Sequence, residues 1–225
     1  MSKIKIVIYL LIFVLGSMTL SHAAKQNIIQ LPSPQMDGGQ PLMKALKARK
    51  TTRAFNTKTI PQQVLSNLLW AADGINRPES GGRTAPSSWD WHNIGIYVAT
   101  SDGLYLYERK GNTLMLILQE DIRAKTGSQP SAVNAPIVLI YVADYANNNI
   151  INFKTSEAFP APYAQRVIES TGNVGFISQN VYLFCASEGL VTGVRATINK
   201  PPLAKGMRLK SSQDVIFAQS VGYPE

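Results

Sequence analysis

Between Arg49 and Phe55 the chain sets three cations and two hydroxyls into five residues, Arg49-Lys50-Thr51-Thr52-Arg53, just ahead of an aromatic. Arginine offers a planar fork of N–H donors, lysine a point charge and threonine a hydroxyl. The run therefore has the donors needed to hold a phosphate by charge-assisted hydrogen bonds. It also suits a solvated helix end, where cations meet the negative pole of the dipole. A second segment, LLWAADGINRPESGGRTAPSS from Leu68 to Ser88, ends an apolar helical stretch in a loop of Gly, Pro and Ser. Such a loop can bring backbone close to a planar ligand.

Other chemistries find little support. The only histidines are His22 and His92, which excludes a His-rich metal site and leaves a Ser-His-Asp hydrolase dependent on His92. No G-x-S-x-G elbow, Walker A or G-x-G-x-x-G pattern appears. Cys185 is the single cysteine, so neither an intrachain disulfide nor a Cys-based zinc site is available. It lies in an apolar helical stretch and reads as a buried thiol. Trp89 and Trp91 alternate with Asp90 and His92, and suit either stacking on a ligand or ordinary packing.

The elements that must position these residues follow from periodicity. Ala24 to about Gly39 reads as an extended lead-in. Leu42, Met43 and Leu46 predict a helix from Pro41 that ends at the basic cluster. Thr59-Ile60-Pro61 predicts the start of a second helix, with a hydroxyl near its N-cap, running through Val64, Leu65, Leu68 and Leu69 to Gly74. Asn93 to Thr100 predicts a strand, and Gly103–Glu108 with Thr113–Leu118 a hairpin around Lys110-Gly111-Asn112. The run PIVLIYVA before Asp144 predicts a central strand buried on both faces. Gly172 to Gly189 predicts the longest helix, apolar nearly all round and so covered by core or by another subunit. Asp214 to Val221 predicts a last strand. Without regular βαβ alternation, the class is α+β.

At the N-terminus, Lys3 and Lys5 precede an apolar run from Ile6 to about Leu20 and then Ser21-His22-Ala23-Ala24. This pattern predicts a signal peptide over 1–23, cleaved near Ala23, with export to the periplasm. The run is shorter than the roughly 18 to 20 residues of a membrane span, so no anchor is expected after cleavage. The organisation read is then 1–23 signal, 24–40 lead-in and 41–225 one domain. The 225 residues have a formal net charge of +8, or +6 without the two signal lysines. The cations are scattered, without a basic run or RNA motif, so a small anionic molecule is expected as partner rather than nucleic acid. Plain solubility also accounts for such an excess.

Several motifs in order resemble the FMN-dependent nitroreductase family. RKTTRAF stands where the family has an R-R-S-x-R-x-F-like motif, with Thr51 in the Ser position. PSSWDWHNIGIYVA, from Pro86 to Ala99, resembles its P-S-x-x-N-x-Q-P-like loop. EGLVTGVRATIN resembles its G-L-x-x-x-x-x-G-G-F-like turn, and VGYP a common family ending. LLWAADGINR, GGRTAPS and GLYLYERKGNTL are closest to the subgroup of SagB-type azoline dehydrogenases. The resemblance spans most of the mature chain.

This resemblance implies a mostly antiparallel sheet flanked by helices, and an intertwined homodimer with FMN between subunits. Arg49, Lys50 and Thr51 would take the FMN phosphate and ribityl chain, and Arg53 the pyrimidine edge of the ring. Pro86, Ser87 and Ser88 would line its other side across the dimer, and the backbone at Ala196 and Thr197 would lie near N5. The sequence departs from the family at Asp90 and His92, which replace the loop Asn and Gln. A carboxylate there disfavours an anionic reduced flavin, whereas a protonated His92 favours it. Ala196-Thr197 replaces Gly-Gly or Glu-Gly. Basic residues that relatives carry after GYP have candidate substitutes in Arg208 and Lys210. The implied activity is flavin-mediated hydride transfer, with no catalytic side chain, from NAD(P)H or another donor to a small acceptor such as a nitroaromatic or quinone. Two other readings are a SagB-like flavin oxidase and a family member that binds a ligand without flavin chemistry.

Overall fold

The structure, a computed structural model, describes residues 28–151 and 155–225. The predicted signal peptide and His22 lie outside the described residues. In chain order the strands are β1 Ile28–Gln30, β2 Ile75–Arg77, β3 Gly82–Arg83, β4 Ile94–Ala99, β5 Leu104–Glu108 and β6 Thr113–Leu118. They continue with β7 Ile137–Asp144, β8 Asn149–Ile151, β9 Ala158–Pro160, β10 Val191–Arg195 and β11 Gln213–Gly222. The helices are α1 Leu42–Ala48, α2 Gln62–Asp73, α3 Pro130–Asn134, α4 Tyr163–Glu188 and α5 Lys200–Gly206. Seven strands form one sheet in the order β1-β6-β5-β4-β7-β11-β10, and every pairing in it is antiparallel. This is the α+β architecture expected.

Strand β7 shows why PIVLIYVA is continuously apolar. It lies between β4 and β11, and successive side chains point to opposite faces. Leu139, Tyr141 and Ala143 enter one core, where Leu65, Leu68 and Leu69 of α2 meet Val174, Ile177, Val181 and Cys185 of α4. Val138, Ile140 and Val142 enter a second core, closed by Phe55, Ile122, Leu203 and Met207. With both faces covered, its side chains from Ile137 to Ala143 are apolar save the Tyr141 hydroxyl, which donates to buried Gln219 at 2.6 Å. Burial also pushes the Cys185 thiol far above its ordinary range, so it stays protonated inside the first core, as the apolar helix around it implied.

Four expectations need correction. The long helix begins at Tyr163, after Pro162, rather than at Gly172. A side chain at Gly172 or Gly175 would meet nothing, and helix-interior glycine costs only about 1 kcal/mol, which packing on both sides of it overrides. The second helix starts after Pro61 with no side-chain cap, so the Thr59 hydroxyl has no such role. In α1 the residues that set the helical spacing are largely exposed in the single chain. Leu42 and Met43 are 62% and 76% exposed, and Ala45 alone is buried. The VTGVR segment, read as part of a turn, is the edge strand β10.

Candidate functional site

The basic cluster leaves α1 at Arg49 in extended backbone and crosses two elements. Thr52 N–H donates to Thr192 O of β10 at 3.0 Å. The crossing is possible because Gly193 has no side chain: a Cβ there would lie 3.2 Å from Thr52 O, 3.3 Å from Arg53 Cγ and 3.4 Å from Thr51 Cγ2. Beside it, Tyr182 of α4 accepts a hydrogen bond from Val194 N–H at 3.0 Å, and its hydroxyl lies 3.0 Å from Thr51 Oγ1. The Arg49 guanidinium rests over the same ring, 5.4 Å from its centroid. Among the described residues, Arg49, Lys50 and Arg53 form no ion pair, so their charge faces outward uncompensated.

A fourth cation stands behind them. Arg195, on the same face of β10 as Gly193, is 6% exposed. Its Nε donates to Thr126 O and its Nη1 to Ser220 Oγ, with a further bond to the Thr126 hydroxyl. No carboxylate pairs with it among the described residues. Burial first, and then the Arg53 charge, push its pKa down to about 10, so it remains a cation at neutral pH. Ala196 and Thr197 follow as exposed residues. They line a cleft of about 570 Å³ with Gly127, Ser128 and Asn199. Four cations without acids make this end of β10 fit an anionic, phosphate-bearing group. Arg208 and Lys210 are exposed in the turn before β11.

The loop residues lie elsewhere on α4. Asn173 accepts from Ser88 N–H at 2.8 Å and donates to Ser87 Oγ, which in turn accepts from His92 N–H. Pro86 is exposed beside them. Asn173 and Tyr182 are nine residues apart on one helix, about 14 Å along its axis. Within one chain the structure therefore does not bring the two predicted groups of flavin contacts together. Trp89, Asp90 and His92 all have left-handed backbone, with φ of 55°, 54° and 49°. Such strain persists only where surroundings over-determine it. Here the Asn173–Ser87 bonds do so, with Trp91 donating from its indole to Asn149 O.

Asp90 is not a bare charge. Its Oδ1 lies 2.7 Å from His92 Nε2. Burial, then the Arg83 charge, lower the His92 pKa, while Asp90 opposes them. His92 is thus neutral at pH 7 and donates one N–H to the carboxylate. The protonated His92 considered from sequence does not hold at that pH.

Sequence reasoning missed three residues behind the site. Asp73, nearly fully buried at the end of α2, accepts from Arg83 at 3.1 Å and from Arg109 Nε at 2.8 Å. Arg109 also donates to Ile94 O at 2.7 Å. This triad ties α2, the strand leading into the 84–92 loop and the β5–β6 hairpin. Tyr182 and Asn173 were likewise read only as helix positions. A hollow of about 760 Å³, lined among others by Met36, Leu42, Trp70 and Leu183, contains none of the predicted flavin contacts. Among the described residues no cluster of His, Cys, Asp and Glu could hold a metal ion, and no helix is long and apolar enough to cross a membrane.

An antiparallel α+β domain with a cationic grip at one sheet edge defines the class. The profile of the Nitroreductase family matches residues 46–223, and the chain belongs to that family. A protein of Ralstonia eutropha named as a nitroreductase has a crystal structure with 37% identity and a TM-score of 0.79, covering 88% of this chain and 90% of its own. A Methanocaldococcus jannaschii protein bearing the same name is 29% identical over 155 residues, 64% of this chain and 72% of that one. The fold is shared with an NADPH:FMN oxidoreductase of Vibrio harveyi, at 17% identity and a TM-score of 0.60, over 82% of this chain and 69% of that one. The chain is therefore an oxidoreductase of the nitroreductase family.

Proposed function

We propose that the chain is an exported, FMN-dependent oxidoreductase that works as a homodimer. It would carry hydride from NAD(P)H or another donor to a small acceptor such as a nitroaromatic or quinone. The observation that carries this reading is the grip at β10, where Arg49, Lys50, Arg53 and buried Arg195 stand without carboxylates around an ordered Thr51. When bound, FMN supplies the ring that accepts and donates hydride. Arg49, Lys50 and Thr51 hold its phosphate, while Arg53 and Arg195 set a positive potential toward the ring. Asp90, an exposed carboxylate that accepts a hydrogen bond from neutral His92, opposes that potential only weakly.

The dimer is supported by what one chain leaves uncovered. Leu42, Met43 and Leu46 on α1, with Ile168 and Phe176 on α4, are exposed large apolar residues. Pairing two chains would bring the Ser87–Ser88 loop of one toward the grip of the other, closing the gap along α4. The small residues and Lys3–Lys5 pattern at the N-terminus support export. Replacing Arg49 and Lys50 by alanine tests the site. Each charge-assisted bond contributes roughly 1.5–3 kcal/mol, so the FMN dissociation constant should rise at least about tenfold. Unchanged affinity would refute the phosphate assignment.

A further inference from the structure

We propose that Tyr182 is a positioning residue that delivers a hydrogen-bond donor, through Thr51, to the phosphate of the flavin nucleotide. The inference rests on the flavin reading above and adds a residue and a direction to it. Val194 N–H can only donate, and it donates to the Tyr182 hydroxyl at 3.0 Å. The buried phenol O–H then needs an acceptor of its own, and Thr51 Oγ1 stands at 3.0 Å to take its proton. Thr51 then keeps its hydroxyl proton for a third partner. Tyr182 is buried, whereas Thr51 is exposed beside Lys50, so the free end of the chain of donors opens outward. Phosphate oxygens only accept, and a threonine whose proton turned inward would present them with lone pairs instead. Successive bonds running the same way polarise one another and strengthen the last.

The same ring holds a second part of the grip. The Arg49 guanidinium lies over its face, which favours a cation electrostatically. The backbone is held in place by the Thr52–Thr192 bond and by the space at Gly193. One tyrosine on α4 thus orders two phosphate-directed side chains.

FMN and riboflavin share the ring and differ by the phosphate, so the ratio of their dissociation constants isolates this end of the site. The wild type should prefer FMN. Tyr182→Phe keeps the ring beneath Arg49 and removes the hydroxyl, and should lower that preference about tenfold while riboflavin affinity changes less than about twofold. Thr51→Val should lower it equally and Thr51→Ser should preserve it. The double variant Tyr182→Phe with Thr51→Val should fall no further than Thr51→Val alone, since both break one chain. In the wild type, FMN but not riboflavin should shift the Val194 amide proton resonance, a readout that needs no variant to fold. A wild-type preference for FMN that survives Tyr182→Phe, an additive double variant, or an unmoved Val194 amide overturns the relay alone. Equal wild-type affinities overturn the phosphate grip and the relay with it.

Discussion

Asp73→Asn removes one negative charge on which two guanidiniums depend. The Asp73 side chain is 4% exposed, and those of Arg83 and Arg109 are 18% and 12% exposed. Removing one partner of a buried ion pair costs about 3–5 kcal/mol, mostly from the charge left behind. With two charges left behind, the upper part of that range applies, about 4–5 kcal/mol. In a domain of this size each kcal/mol lowers Tm by about 2–4 °C, which gives a fall of about 8–20 °C. Arg83→Met should cost less, because Asp73 keeps Arg109 and a buried repulsion is relieved. Burial and the Arg109 charge already lower the Arg83 pKa more than Asp73 raises it. Thermal and urea unfolding followed by circular dichroism measure both variants, with an unchanged m-value showing that the two states compared are the same. An Asp73→Asn Tm within about 2 °C of wild type, or a larger loss for Arg83→Met, would refute the reasoning.

His92 should titrate below the ordinary histidine value of about 6.5 when its ring protons are followed by NMR, and Asp90→Asn should lower the midpoint further. Between that midpoint and about 6.5 the unfolded chain binds more protons than the folded one, so stability rises with pH across the window and declines on acidification. A midpoint above 6.5 contradicts the burial argument. Gly193→Val places methyls against Thr52 O and Arg53 Cγ, forcing Thr51–Arg53 away from β10. Overpacking of this kind costs about 1–3 kcal/mol. FMN affinity should fall about tenfold, as titration and thermal melts on the same samples will show; unaltered binding would mean the close approach is not needed.

How legible each element was depended on what keeps it buried. Strand β7 has a core on each face, so its position shows in an unbroken apolar run. Strand β10 is less completely buried, and partly by polar means. Thr192 donates to Ser220 O, and Arg195 is satisfied by Thr126 and Ser220, so its residues resemble a turn. The N-terminal turns of α4 were obscured by Gly172, whose local cost is set against packing contributed by distant residues. In the site, the cations and loop hydroxyls could be recognised because they are consecutive. Their supports could not. Tyr182 is 131 residues from Thr51, and Arg109 is 36 from Asp73, so those contacts exist only once the sheet has formed. The hydrogen bond between His92 and Asp90 needed three left-handed residues in a row of four, which nothing in their side chains foretells.

The most direct test of flavin binding is titration of the purified protein with FMN, followed by flavin fluorescence and visible absorbance. Saturable quenching at one FMN per chain, with the bound flavin reducible by an added hydride donor, is the expected result. Absence of flavin bands together with absence of saturable quenching would contradict the assignment of the β10 grip as a flavin nucleotide site.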